Sequence, residues 1–314
     1  MSAGTGDDDG GAMVSMPARL RIAALRASGQ KRFYDSADAL HRRLPRHQRA
    51  SKRKPPRWLQ RTSAVRRHDV DGFPCYTIGP RAGAGDLQVL HLHGGGFVEE
   101  IEPHHWRFAA ELVRRLRCTV TLPIYPLVPR YSHTTILPMV QAAYERLLRE
   151  TPPQRRILSG DSAGGALALA IAQKLRERGE PQPERIVLIS PWLDVLLDDP
   201  MSVLLDDYDP MLGITGLREA GRMYAEGADP HDPRISPRYA DLAGLGPFSL
   251  FIGARDVLLP DARRFARRAT EAGIDIDYRE RRGMFHNWVM EKIPEGREEL
   301  NHLERILRRP PADR

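Results

Sequence analysis

Short apolar runs and longer amphipathic stretches alternate along the sequence from residue 73 onward. The short runs predict buried strands, and the longer stretches, with apolar residues at helical spacing, predict helices. Strands joined through helices require crossover connections, which give a mostly parallel sheet with helices on both faces. The predicted fold class is therefore α/β, with strands at 73–78, 87–92, 118–122, 156–159, 185–190, 248–252 and 274–278.

Three segments depart from this alternation. Residues 1–18 are rich in Gly and Asp and offer little apolar surface, so a disordered tail is predicted. Residues 19–67 predict basic N-terminal helices, with an exposed linker at 46–61, ahead of the main domain at 68–314. Within that domain, Pro, Asp and Gly are scattered through residues 194–235, and we expect an insertion that lies over the sheet.

Positive charge is concentrated in residues 19–67. This segment holds sixteen Lys and Arg against two acids, Asp35 and Asp38, whereas the chain after it is net acidic and the whole protein carries +7. A uniformly basic protein would indicate a nucleic-acid partner. Here no nucleic-acid module is recognisable, so we expect no such partner. Peripheral contact of residues 42–58 with an anionic membrane is an alternative to an ordinary solvated surface.

Hydropathy and cysteine content favour a soluble intracellular protein. No apolar run approaches the roughly 18 residues that a membrane span requires. The first nine residues lack the basic and apolar regions of a secretory signal. The two cysteines, Cys75 and Cys118, form no Cys-x-x-Cys motif. We therefore expect a reduced protein in the cytoplasm.

A Gly-x-Ser-x-Gly motif at residues 160–164 stands between a predicted strand and an Ala/Leu-rich helix. The small flanking residues permit a strained turn that lifts the Ser162 hydroxyl above the sheet. The helix that follows offers backbone N–H groups to a developing negative charge. We predict that Ser162 is a nucleophile; the alternative is a glycine-rich turn with an incidental serine.

A second glycine motif, His93-Gly94-Gly95-Gly96, follows a predicted strand. Its backbone can approach a ligand closely, and N–H groups presented in this way stabilise the oxyanion of acyl transfer. Phosphate-binding loops are the rival, but neither Gly-x-x-x-x-Gly-Lys-Ser/Thr nor Gly-x-Gly-x-x-Gly occurs here. A metal site of the His-x-His-x-Asp-His kind would need Asp and His where Gly95 and Gly96 stand. No metal or other cofactor is predicted.

Two polar residues near the C-terminus follow predicted strands. Asp256 lies beyond the strand at 248–252, and His286 beyond the strand at 274–278. The carboxyl ends of parallel strands meet at one edge of the sheet, where Ser162 is also expected. A serine nucleophile needs a base, and the base needs a carboxylate that orients it. These three residues therefore form the predicted catalytic triad.

Other carboxylates compete for the role of the acid. Asp261 lies in the same loop, Asp194 follows an earlier strand, and Asp161 precedes the serine. Asp256 is preferred because its strand should adjoin the strand that leads to His286.

The motifs together, in the order His-Gly-Gly-Gly, Gly-Asp-Ser-Ala-Gly, Asp-x-Leu and a late His, resemble the hormone-sensitive-lipase-like family of α/β-hydrolase esterases. The resemblance covers residues 87–288. It implies an α/β-hydrolase fold whose helical cap is built from the basic N-terminal helices and completed by the insertion at 194–235. It also implies one catalytic domain rather than two independent domains.

The resemblance assigns roles to individual residues. Ser162 would be the nucleophile, His286 the general base and then acid, and Asp256 the orienting acid. The oxyanion hole would be formed by the backbone N–H groups of Gly95, Gly96 and Ala163, with Gly94 and His93 supporting them.

The implied activity is hydrolysis of small-molecule carboxylic esters with short to medium acyl chains through an acyl-enzyme. Amide, lactone or peptide hydrolysis on the same triad is an alternative, and a small-molecule receptor without catalysis is a further one. Such receptors typically lack a triad member, whereas this chain has all three. A homodimer through the edge of the last strand is also expected.

Two features depart from the family pattern. Glu99 and Glu100 follow the glycine loop where the family usually has small or apolar residues. The stretch from Asp256 to Asp261 is one residue longer than usual. The first departure bears on the substrate and the second on the choice of the acid.

Overall fold

The computed structural model describes residues 13–50, 53–150 and 155–308, and these residues form one eight-stranded sheet flanked by helices. The sheet order is β1-β2-β4-β3-β5-β6-β7-β8, where β1 and β4 both pair antiparallel with β2 and all other neighbours are parallel. The prediction of an α/β fold with a mostly parallel sheet is confirmed. The strands are β1 Ala64–Val70, β2 Phe73–Gly79, β3 Leu87–Leu92, β4 Thr119–Pro123, β5 Arg155–Asp161, β6 Arg185–Ile189, β7 Phe248–Gly253 and β8 Ile276–Arg281.

Helices cover both faces of the sheet. Side chains of successive strand residues point to opposite faces, so Leu158 joins one buried apolar cluster and Ile157 the other. None of the described helices is both long and apolar enough to cross a bilayer. The helices are α1 Met16–Ser28, α2 Ala37–Ala50, α3 Arg57–Thr62, α4 Pro103–Leu116, α5 His133–Glu150, α6 Ala163–Glu177, α7 Pro200–Asp206, α8 Ile214–Ala225, α9 Leu259–Glu271 and α10 Pro294–Leu307.

The N-terminal segment differs in two places from the sequence prediction. Helix α1 begins at Met16, inside the predicted tail, because the Ser15 hydroxyl accepts a bond from Ala18 N and Glu295 binds Ser15. The rest of that tail, residues 1–12, lies outside the described residues. The predicted linker at 46–61 contains the end of α2 and most of α3, where a proline precedes the first turn and Leu59 is buried.

Strand β1 was not predicted. Its residues are mostly exposed, and it pairs only with β2 at the edge of the sheet. An edge strand of this kind has no continuous apolar run, which is the signal that identifies buried parallel strands.

The insertion at 194–235 contains α7 and α8, and α8 packs against the N-terminal segment. Gly216 N donates to Tyr34 O at 2.8 Å, and a Cβ on Gly216 would collide with the Tyr34 backbone. The two segments expected to form a cap therefore touch each other at this point.

Candidate active site

Ser162 lies on a strained turn between β5 and α6. Its backbone has φ 52° and ψ −122°, a conformation that an L-residue adopts only where its surroundings enforce it. The neighbouring glycines are required sterically, because a Cβ on Gly160 would collide with Gly164 O and one on Gly164 would collide with Leu92 O. The turn thus sets the serine at the carboxyl edge of the sheet.

His286 and Asp256 are hydrogen-bonded to each other in the loops after β8 and β7. The distance from His286 Nδ1 to Asp256 Oδ2 is 2.8 Å, and both side chains are buried. Leu258 N donates to the other carboxylate oxygen of Asp256 at 3.0 Å. Burial disfavours the charged imidazolium, but the Asp256 carboxylate outweighs this and raises the pKa of His286. The pair has the geometry of a base and the acid that orients it.

The competing carboxylates are engaged elsewhere. Asp261 Oδ1 lies 3.2 Å from Arg238 Nη1, and Asp194 is paired with the same guanidinium. Burial raises the pKa of Asp261 to about 7 despite that arginine. Of the four candidate acids, Asp256 is the one that contacts His286.

The glycine loop has the backbone conformation of an anion-binding loop. Gly95 and Gly96 have φ values of 111° and 57°, and a Cβ on Gly95 would lie 2.8 Å from Glu99 O. Within the described part of the chain, the backbone N–H groups of Gly95, Gly96 and Ala163 donate to no protein acceptor. Three unpaired donors beside Ser162 suit an incoming oxyanion.

Asp161 connects the loops around the serine. Its carboxylate accepts bonds from Gly94 N at 3.0 Å and from Asn287 Nδ2 at 2.7 Å, and the ring nitrogens of His91 and His105 lie 3.3 Å away. Burial opposes ionisation of Asp161, but the two histidines hold its pKa well below the usual range. Asn287 was not predicted as a site residue, because nothing in the sequence marks it except its position after His286.

Asp209, in the insertion, is a further buried carboxylate that sequence reasoning missed. Its Oδ1 accepts bonds from Met211 N and Leu212 N, and its Oδ2 accepts a bond from Val257 N at 3.1 Å. Burial and the nearby Asp256 raise its pKa to about 7. Asp209 thereby joins the insertion to the loop that carries the acid.

A cavity of about 40 Å³ opens beside Ser162 and His286. The insertion forms an apolar side from Met211, Leu212 and Leu217. The polar part of the lining comes mainly from the loop after the glycines and from the N-terminal segment, through Gln30, Tyr34, Glu99, Glu100, Glu102 and His104.

Two groups of side chains bring possible metal ligands within 4.8 Å of one another: His104, His105 and Asp161, and His47, Glu99 and Glu102. Several of these atoms bind each other directly. His105 Nε2 lies 3.3 Å from Asp161 Oδ2, and His47 Nε2 lies 3.0 Å from Glu99 Oε1. That the site needs no metal or cofactor remains a prediction.

Comparison with known proteins gives the family. A family model described as alpha/beta hydrolase fold matches residues 89–290. An acetyl-hydrolase from Streptomyces hygroscopicus is 33% identical over 223 residues, which are 70% of this chain and 75% of the relative. An esterase from Acinetobacter venetianus is 31% identical over 204 residues, covering 64% of this chain and 67% of the relative.

The solved structures agree with these sequence relatives. An esterase from the bacterial hormone-sensitive lipase family superposes with a TM-score of 0.81 at 29% identity, and the match covers 96% of this chain and 100% of that one. The resemblance inferred from the two glycine motifs is confirmed. The chain therefore belongs to the α/β-hydrolase fold family, among its hormone-sensitive-lipase-like carboxylic esterases.

Proposed function

We propose that this esterase acts through a serine acyl-enzyme, with Ser162 as the nucleophile, His286 as the general base and Asp256 as the orienting acid. The observation that carries the proposal is the 2.8 Å bond from His286 Nδ1 to Asp256 Oδ2 at the sheet edge that also bears the strained Ser162. That bond leaves Nε2 of the ring as the nitrogen that can accept a proton.

The reaction follows from these roles. His286 takes the hydroxyl proton as Ser162 Oγ attacks the ester carbonyl, and the tetrahedral oxyanion accepts bonds from Gly95, Gly96 and Ala163 N–H groups. The C–O bond to the alcohol breaks, and His286 gives its proton to the departing oxygen. Water then attacks the acyl-enzyme with His286 again as the base, which releases the carboxylic acid and restores the serine.

The cavity supports a short acyl group. Its volume of about 40 Å³ is far below the roughly 300 Å³ at which pockets for drug-sized ligands begin. Leu212 and Leu217 are buried and close its apolar side. The similarity to an acetyl-hydrolase is consistent with this size. We therefore place the preferred substrates at the short end of the expected short-to-medium range.

A chain-length series of p-nitrophenyl esters tests the acyl size. We expect kcat/KM to fall by about tenfold or more between the butyrate and the octanoate, because a longer chain must displace packed side chains. Leu217→Ala should shift the optimum to longer chains, whereas Leu204→Ala, at a side chain 64% exposed, should not. A flat profile in the wild-type enzyme would contradict the small acyl site.

Substitution of the nucleophile tests the mechanism. Ser162→Ala should lower turnover of p-nitrophenyl acetate by about 10⁴ to 10⁶, because no other group can form the acyl-enzyme. Ser28→Ala, at the end of α1, serves as the matched control and should keep wild-type turnover. Full activity in Ser162→Ala would contradict the assignment.

Three broader expectations stay predictions. Contact of residues 42–58 with an anionic membrane is compatible with Trp58, which is 41% exposed. A homodimer through β8 is compatible with its place at the sheet edge. A cytoplasmic location is compatible with Cys75 and Cys118, which are both buried.

A further inference from the structure

We propose that the esters best suited to this site carry a positive charge on the alcohol portion, recognised by the carboxylates of Glu99, Glu100 and Glu102. This inference rests on the proposed function and adds a substrate class to it. Ser162 and the three glutamates line the same cavity.

The first argument is the charge of the lining. Three of the four residues at 99–102 are glutamates, three residues after the glycine loop, and all three line the cavity beside Ser162. Among the described residues that line it, none is Lys or Arg. The nearest partners are His47, 3.0 Å from Glu99, Arg53, 2.7 Å from Glu100, and His104, 3.3 Å from Glu102. Of these three partners, one is an arginine with a fixed positive charge and two are titratable histidines.

The second argument is that the carboxylates are held in place. Tyr34 Oη donates to Glu99 Oε2 at 2.6 Å, and burial raises the pKa of this phenol well above its usual value, so it stays a neutral donor. For Glu102, burial opposes ionisation, but the neighbouring histidines outweigh it and lower the pKa to about 2. Glu102 is thus ionised at neutral pH. Preorganised charge of this kind costs little to reorganise when a ligand arrives.

The third argument is an unsatisfied oxygen. The Glu100 side chain is 2% exposed, and while Oε1 pairs with Arg53, Oε2 has no hydrogen-bond partner in the described part of the chain. A buried carboxylate oxygen without a donor is costly. An ammonium N–H, or the polarised C–H groups around a quaternary nitrogen, would supply the missing electrostatic partner.

The solvent exposure of the side chains that line the cavity places the positive charge on the alcohol portion of the ester rather than on the acyl portion. Leu212 and Leu217 are buried, whereas the side chains of Glu102 and His104 are 38% and 20% exposed. The side chains of Glu99 and Glu100 lie deeper, at 13% and 2% exposed, so Glu102 is the one of the three carboxylates nearest to solvent. A small acyl group fits the closed apolar side, and the larger alcohol extends past the glutamates towards solvent.

The test uses a pair of esters with the same shape and different charge: acetylcholine and 3,3-dimethylbutyl acetate. Each kcat/KM is divided by the rate of hydrolysis of that ester by hydroxide, which corrects for the difference in intrinsic reactivity between the two esters. We expect the corrected ratio to favour the cationic ester by about tenfold in the wild-type enzyme, the combined effect of three carboxylates whose charge is partly offset by Arg53 and the histidines.

Variants connect the ratio to the glutamates. Glu99→Gln, Glu100→Gln and Glu102→Gln should each lower the ratio about twofold, and the triple variant should bring it close to one. The matched control is Glu111→Gln, whose carboxylate binds Arg114 and Arg115 on α4 away from the cavity. It should keep the wild-type ratio.

The outcomes separate this inference from the proposed function. Activity on p-nitrophenyl acetate without preference for acetylcholine, or a preference that survives in the triple variant, would overturn the charge recognition alone. An enzyme inactive on all three esters would overturn the proposed function first.

Discussion

Asp161 explains why three loops from distant parts of the chain meet around one serine. Its carboxylate binds the glycine loop through Gly94 and the loop of His286 through Asn287, while Ser162 follows Asp161 directly at the end of β5. Charge-assisted bonds to a buried carboxylate are strong because water does not compete for them. The glycine loop and His286 are therefore fixed in position relative to Ser162.

The protonation of His286 gives the expected pH dependence. Its pKa is raised because the Asp256 carboxylate outweighs burial, with further contributions from Asp209 and Asp161. The base must be neutral to act, so kcat/KM should be constant at high pH and fall about tenfold per pH unit below a pKa above 6.5. In Asp256→Asn this acidic limb of the pH profile should move to lower pH, and turnover should drop by about 10³ to 10⁴.

The control for this profile is Asp229→Asn, at an exposed carboxylate on the insertion. It should leave both the limb and the turnover as in the wild-type enzyme. A limb at the same pH in Asp256→Asn and in the wild-type enzyme would contradict the role of Asp256.

At the residue scale, the strained turn at Ser162 could be predicted because its steric requirement is local. Only small neighbours permit this backbone, and Gly160 and Gly164 lie two residues before and two residues after Ser162 in the sequence. Asp209 could not be predicted, because its importance comes from a bond to Val257 N, 48 residues away, and an Asp before a Pro is common in loops.

At the scale of elements, the buried strands were predicted within a few residues, whereas the edge strand β1 was not predicted and the edge strand β8 was placed too early in the sequence. Strand β7 is buried along its whole length and reads as a continuous apolar run. Strand β8 was predicted at 274–278 but spans Ile276–Arg281, where every residue is only partly buried. A strand that pairs on one side only is partly exposed. It therefore lacks the continuous apolar run by which a buried strand is recognised.

The contact of α8 with the N-terminal segment gives a prediction for stability. Gly216→Ala should destabilise the protein by about 1–3 kcal/mol, because the new Cβ collides with the Tyr34 backbone. Thermal unfolding would measure this against Gly85→Ala, whose Cβ would make only ordinary contact with Arg117 O at 3.4 Å. Since Ala favours a helix over Gly by about 1 kcal/mol, a gain in stability for Gly216→Ala would contradict the close packing.

At the scale of the whole molecule, the basic N-terminal segment meets the acidic remainder of the chain. Arg21 pairs with Glu291 at 2.6 Å, Lys31 with Asp206 at 3.4 Å and Arg53 with Glu100 at 2.7 Å. Each partly exposed pair contributes little to stability by itself. Together they show that part of the positive charge of residues 19–67 is neutralised by acidic residues of the same chain. Less of this charge is available to a nucleic acid, which weakens the case for such a partner.

The same segment also reaches the catalytic cavity. Tyr34 and His47 hold Glu99 beside the glycine loop, and Gln30 lines the cavity itself. Composition alone could not reveal this, because it depends on the N-terminal helices folding back across the carboxyl edge of the sheet. The cavity beside Ser162 is therefore lined jointly by regions far apart in sequence.

The most direct measurement is intact-protein mass spectrometry with peptide mapping, made on enzyme quenched shortly after mixing with p-nitrophenyl acetate. The predicted result is a covalent gain of one acetyl group on the peptide that contains Ser162, formed in the burst of p-nitrophenol and absent from Ser162→Ala. Turnover of the ester without any acetylated serine, or with the acetyl group on another residue, would contradict the acyl-enzyme mechanism.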